Sequence, residues 1–237
     1  MPERTPARAR RTGGATRRAG PVRRRAIYDD EKDARRGELL AAARDLFLQR
    51  DGRLATVTEV ADRAGVAKGT VYLYFRTKEE LYVAQYEELM TALLARMREV
   101  SASRKSDEEI RAGTVAAICD FVAAHPELLR LGSLMNAVLE QNVGDEFIEG
   151  YKSRLGSDLI ATANALVEGL SLSLEEATQL VLRTYAMAVG LWQQADLPEV
   201  VRKLLKRRPD LGFYEIQFAA ELRSALELLW RRPPARG

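Results

Sequence analysis

The chain is poor in the residues that build metal sites, disulfides and nucleophilic centres. It has one cysteine, Cys119, and one histidine, His125, in 237 residues. A lone cysteine excludes an intrachain disulfide and fits a reducing compartment. One His and one Cys cannot supply the nitrogen- and sulfur-rich ligand sets of structural zinc sites. Neither GxxxxGK[ST] nor GxGxxG occurs, so the sequence signals for phosphate- and dinucleotide-binding loops are missing. No metal, cofactor or catalytic residue is predicted. His125 precedes Pro126 with no evident partner to orient it, as befits a helix junction better than a general base. Cys119 lies in the apolar segment VAAICDFVAA, the setting of a buried thiol. No run approaches ~18 uninterrupted apolar residues. The longest candidate, LVLRTYAMAVGLW, is broken by Arg183. No membrane association is expected, and a cytoplasmic location is.

Convincing strand alternation and hairpin dipeptides are also absent, whereas helix punctuation is abundant. The capping box, Ser/Thr-x-x-Glu, satisfies free N–H groups at a helix start. It occurs at Thr56–Glu59, Thr77–Glu80, Ser106–Glu109 and Ser173–Glu176. Pro126 and Pro198 mark two further starts. The chain therefore reads as all-α. Helices are predicted over about 30–50, 56–64, 68–75, 77–100, 107–124, 126–140, 145–169, 174–195, 198–206 and 213–230. Residues 233–237 read as a tail.

Charge is unevenly placed. Residues 1–25 hold nine arginines and one acid, a net +8 that leaves −5 for the rest of the chain. Such an arm suits a polyanion partner. It has no apolar h-region, so it is not a secretory signal, although an Arg-rich, acid-poor stretch is also the composition of an organellar transit peptide. A solvated, disordered arm over 1–28 is the plainer expectation, and a start at Val22 would omit most of it.

Two short helices joined at Gly65, braced by a longer helix before them, make a helix-turn-helix over 29–76. The second is the one that enters a major groove. In it, Val71 and Phe75 are four apart and can face the core, while Lys68 and Tyr72 share another face. Lys68 suits a phosphate or guanine edge, Gly69 allows close backbone approach, and Thr70 offers a hydroxyl and a methyl to bases. Tyr72 and Tyr74 supply hydroxyls for phosphates, and Lys78 adds charge from the next helix. Packing of Tyr72, Leu73 and Tyr74 on that next helix would fit the same spacing.

Residues 38–84 resemble the DNA-binding domain of the TetR family of bacterial regulators. The stretch TVTEVADRAGVAKGTVYLYFRTKEELY matches that family's signature almost throughout. The resemblance implies about nine helices, a homodimer and a C-terminal domain that binds a small-molecule effector. It carries DNA contacts onto Thr56, Thr58, Lys68, Gly69, Thr70, Tyr72, Leu73, Tyr74 and Lys78. Where the family often has a capping Ser, this chain has Ala67.

Residues 77–232 are then the effector-binding and dimerisation domain. Apolar and Met-rich positions Met97, Phe121, Met135, Leu139, Tyr185 and Met187 are candidates for a cavity lining. From Leu174 to Ala195 apolar residues recur in three- and four-residue steps, a packing seam. With the last helix it gives Val181, Ala188, Trp192, Ile216, Ala220 and Leu226 as expected dimer contacts. The implied function is a ligand-responsive repressor on a palindromic operator, double-stranded DNA carrying a short inverted repeat. An architectural or nonspecific DNA-binding protein that uses the arm is the alternative.

Overall fold

A computed structural model describes residues 21–103 and 106–231. The chain divides into two units, residues 1–37 and 38–237. Every described residue of the first unit is helical. Helix α1, Pro21–Gln49, starts upstream of the predicted Asp30. Residues 1–20 of the expected arm and the tail 233–237 lie outside the described residues.

The second unit begins with the last turns of α1. Leu39, Leu40, Ala43, Leu46 and Phe47 recur at helical spacing and are buried, which orients this stretch on its neighbours. Helix α2, Val57–Ala64, opens with the predicted capping box: Thr56 Oγ1 accepts from the Glu59 amide and the Glu59 carboxylate accepts from the Thr56 amide. Gly65 ends it in the left-handed region at φ 67°, where a side chain would be strained. Helix α3, Lys68–Tyr72, follows without a side-chain cap, because Ala67 has no side-chain acceptor. Tyr82, from α4 (Lys78–Ser101), reaches into this group. Its hydroxyl accepts from the Ala55 amide at 2.9 Å and its ring lies 5.6 Å from Phe47.

Beyond α4 come α5 (Asp107–Ala124), α6 (Glu127–Leu134), α7 (Asp145–Leu170), α8 (Leu174–Ala195), α9 (Glu199–Arg207) and α10 (Phe218–Leu229). No strand occurs among the described residues. The boxes at Ser106 and Ser173 form as predicted. At Thr77 only half of the box forms. Thr77 Oγ1 accepts from the Glu80 amide, but the Glu80 carboxylate takes the Arg76 amide instead.

Three predicted helices are shorter than expected. The 68–75 helix ends at Tyr72. The 126–140 helix stops at Leu134 and continues as a π-helical turn, Met135–Leu139, then a 3₁₀ turn, Glu140–Asn142. The last helix starts at Phe218, since Pro209–Tyr214 forms its own 3₁₀ segment.

Helices α4 and α7 pack along much of their length and are tied by polar rungs. Thr91 donates to Asp158, Arg98 to Thr162, and Ser101 to the Ala165 carbonyl. Helix α10 lies on α8 and α5. The buried Trp230 donates from Nε1 to Thr184 Oγ1 at 2.9 Å, and its carbonyl accepts from the Arg111 guanidinium at 3.2 Å.

Candidate nucleic-acid interface and internal cavity

On α3 and the turn that follows it, the apolar and polar faces separate as the spacing predicts. Val71 and Phe75 are buried, while Lys68 and Gly69 are exposed. Tyr72 is 47% exposed and Leu73 80% exposed. Tyr74 is half-buried and packs against the core, so the packing alternative holds for one of the three crowded residues. Lys68 Nζ stands 5.9 Å from the Tyr72 ring centroid, a cation–π contact on the outward face.

Thr56, Thr58, Lys68, Tyr72 and Lys78 line one open groove of about 360 Å³ where α2, α3 and the start of α4 meet. Gly69, Thr70, Leu73 and Tyr74 lie outside it. Arg76 also lines the groove and is exposed, a cation that the sequence reading passed over. Its place, just before a capped helix, was the available signal. Next to the groove-lining Thr56, Arg50 donates to Glu59 at 2.7 Å. That bond, with those from Thr56, holds the Glu59 carboxyl at about 2, well below the usual carboxylate range.

A second site lies inside the α4–α8 bundle. An outer chamber of about 200 Å³ is walled by Tyr86, Met90, Leu94, Met135, Asn136, Glu140, Tyr151, Lys152, Leu155, Leu159, Val181, Leu182 and Tyr185. A smaller inner chamber of about 30 Å³ shares Met90, Leu94, Val181 and Tyr185 with it. Met97, Ile118, Val122, Leu128 and Leu129 are among its other walls. Met135 and Asn136 on the outer wall belong to the π-helical turn. Lys152 pairs with Glu140 at 2.5 Å.

Burial raises the hydroxyls of Tyr86, Tyr151 and Tyr185 above the ordinary tyrosine value. They therefore stay protonated and can donate hydrogen bonds. The thiol of Cys119, half-buried, is likewise pushed up by burial, which leaves it a poor nucleophile. Among the described residues no cluster of three or more His, Cys, Asp or Glu could hold a metal.

Of the predicted cavity residues, Met97, Met135 and Tyr185 line the chambers. Phe121, Leu139 and Met187 line neither. Phe121 instead stacks on His125, ring centroids 4.4 Å apart, and Leu139 is fully buried core.

The interface expectation needs correction too. Val181, Ala188 and Leu226 are buried within their own chain, because α6, α7 and α10 pack against α8. Val181 is a cavity wall. Trp192 is partly buried on Phe218, ring centroids 5.2 Å apart, and Ile216 precedes α10. Ala220 is exposed, and so are Leu182 and Leu228.

Comparison with known proteins fits this layout. Residues 39–84 match the family described as bacterial regulatory proteins, tetR family. Residues 84–231 match the tetracyclin repressor-like C-terminal domain. The chain is 34% identical over 100 residues to the HTH-type transcriptional activator FasR of Mycolicibacterium smegmatis, across 42% of this chain and 46% of FasR. It thus spans about half the length of that relative. It is 27% identical over 165 residues to the fatty acid metabolism regulator protein of Bacillus subtilis, across 67% of this chain and 84% of that one. Among solved structures, the fold is similar to FadR from Bacillus subtilis in complex with stearoyl-CoA. That match has a TM-score of 0.54 and 21% identity, over 81% of this chain and 96% of FadR. It is also similar to a TetR/AcrR family regulator from Thermobifida fusca, with a TM-score of 0.56 and 18% identity over 84% and 100%.

Proposed function

This chain belongs to the TetR family, a family of bacterial regulators rather than enzymes, and from that premise we propose that it is a dimeric, ligand-responsive transcriptional repressor. The observation that carries the DNA reading is the outward face of α3. Lys68, Tyr72 and Leu73 stand exposed on a helix anchored from behind by Val71 and Phe75. Arg76 and Lys78, beside them, suit the sugar-phosphate chain.

Two copies related by a two-fold axis present two α3 helices about one DNA turn apart, roughly 34–36 Å, or a multiple of it. The operator is then a short inverted repeat. The proposed dimer face is the outward side of α10, with Ala220 and Leu228. Both are exposed in the single chain. The protein acts in the cytoplasm.

The effector occupies the two chambers. Their order, phenol hydroxyls and a Lys–Glu pair outside and aliphatic walls inside, suits an elongated amphipathic molecule. A long-chain acyl thioester is the proposed class, supported by the similarity to the Bacillus subtilis FadR bound to stearoyl-CoA. Its binding favours a dimer whose α3 helices no longer match successive grooves, and by linkage DNA weakens effector binding equally.

Selection of bound sequences from random DNA, followed by footprinting, tests the reading. A protected inverted repeat supports it. Protection with no preferred site favours an architectural protein that binds through the N-terminal arginines.

A further inference from the structure

Arg130, on α6, reaches three places at once. Its Nη1 lies 2.7 Å from Asp51 Oδ1, in the turn between α1 and α2. Its Nη2 lies 3.7 Å from Asp196 Oδ1, at the C-terminal cap of α8. Its Cζ stands 5.6 Å from the ring centroid of Trp192, one turn back on α8. A planar guanidinium presents separate N–H edges to two carboxylates and a flat face to an aromatic ring.

The turn it holds is constrained. Asp51 and Gly52 both sit at positive φ, 54° and 81°. A Cβ at Gly52 would come within 3.1 Å of Arg130 Cδ, so the side chain lies directly against the turn. The Gly52 amide still bonds back to the Phe47 carbonyl at 2.9 Å, and α2 starts a few residues later. The direction of α2, and of α3 after it, therefore depends on a turn clasped by Arg130.

At its other end the contact is incompletely satisfied. Arg130 Nε and Trp192 Nε1 are both buried without a hydrogen-bond partner. Nη2 is at ion-pair distance from Asp196, beyond hydrogen-bond length. A small displacement of the end of α8 would bring Asp196 into hydrogen-bond range of Nη2, while Nη1 stays on Asp51, so that one rigid fork ties the two together. Trp192 also packs edge-on against Phe218, the first residue of α10. So the guanidinium touches the end of α8 directly and α10 through Trp192.

We propose that Arg130 is a positioning residue that transmits the position of the C-terminal end of α8 to the Asp51–Gly52 turn, and so sets the pitch of α2 and α3 for DNA. This rests on the DNA-binding reading above, but the coupling can be measured without DNA.

Asp196→Asn and Arg130→Met are compared singly and together. Hydrogen exchange is followed in peptides spanning residues 50–64, and binding is measured on the sequence selected from random DNA. Asp51 and Asp196 belong to different elements, so an effect of Asp196→Asn at the turn must pass through an intermediary. The expected result is that Asp196→Asn alters exchange of residues 50–64 at least threefold and shifts DNA affinity at least threefold. Both effects vanish in the Arg130→Met background. Arg130→Lys, which keeps the charge but not the fork, gives an intermediate response and covers the case in which Arg130→Met does not fold.

A purely structural role would lower thermal stability in each variant without making one effect depend on the other residue. If Asp196→Asn acts equally with and without Arg130, or leaves residues 50–64 unchanged, the proposal is wrong. If exchange shows the coupling but wild-type protein selects no DNA sequence, the DNA-binding reading fails instead, and with it the assigned role in setting α3.

Discussion

Arg44 Nε lies 2.6 Å from Glu127 Oε1, joining α1 to α6 through a carboxylate that is fully buried. The Arg44 side chain is 40% exposed, so water screens one partner and not the other. Breaking a buried pair by removing one member costs about 3–5 kcal/mol. Solvent at Arg44 reduces this, and Arg44→Met is expected to cost about 2–3 kcal/mol in urea unfolding. Arg44→Met with Glu127→Gln should recover most of that loss, because no buried charge is left behind. Equal destabilisation in the single and double variants would contradict this account.

The outward face of α3 makes a sharper test than its length suggests. Lys68→Ala and Tyr72→Ala remove exposed groups that support nothing in the core. Each should weaken operator binding by about 1–3 kcal/mol with unchanged helicity. Val71→Ala, at a fully buried site, should lower stability as well as binding. Near-native affinity in both surface variants, measured by fluorescence anisotropy, would remove α3 from the interface.

How much of this was legible in the sequence follows from the range of each interaction. Thr56–Glu59 and Gly65 are local signals, and the structure forms both. Val71 and Phe75 are both buried as their spacing predicts, although α3 ends at Tyr72, because the Phe75 amide still bonds to the Val71 carbonyl at 3.0 Å and keeps the two one turn apart. Val181 and Leu226 show where the reading ran out. A seam of apolar residues states that something covers it, but not whether that is the chain's own α10 or a second copy. Met90 and Tyr151 were missed as cavity walls for the same reason. Core and cavity linings share one periodicity and differ only in tertiary placement. The π-helical turn at Met135–Leu139 left no local mark in the sequence.

Acid should weaken the helix-turn-helix through Glu59. Its folded value of about 2 lies below the ordinary value of about 4.3. A depressed carboxyl contributes stability that is fully present above its unfolded value and is lost as pH falls through the folded value. The window is therefore roughly pH 4 to 2. Glu59→Gln should flatten the thermal stability profile across that window and leave the slope above pH 6 unchanged. Parallel profiles for the two proteins would show that the Arg50–Glu59–Thr56 group contributes nothing to acid sensitivity.

Dimerisation discriminates between the two faces of α10. Leu228 is 61% exposed and Leu226 is fully buried. Leu228→Asp should give a folded monomer that no longer binds an inverted repeat, since half-sites alone bind weakly. Leu226→Asp places an unpaired charge in the core and should prevent folding. Light scattering with circular dichroism separates these outcomes. A dimeric Leu228→Asp protein would place the interface elsewhere.

The two chambers make a quantitative prediction about effector length. Each buried methylene contributes about 0.8 kcal/mol, so affinity for a series of acyl-CoA thioesters should rise steeply with chain length. The rise should stop where the inner chamber is full. That chamber is nearly closed at about 30 Å³, but Met90 and Met97 bound it, and flexible methionines yield to a ligand more readily than branched side chains. Leu129→Trp fills the inner end and should move the optimum to shorter chains without changing the affinity of the shortest. Tyr185→Phe removes one hydroxyl donor from the wall shared by both chambers. It should cost about 0.5–1.5 kcal/mol at every chain length, because a polar contact near the head is indifferent to what the tail does. The two variants therefore act along different axes, one on the slope and one on the offset, and fluorescence titration resolves both. Equal affinity for hexanoyl and palmitoyl thioesters in wild-type protein would exclude the inner chamber as the seat of an acyl chain.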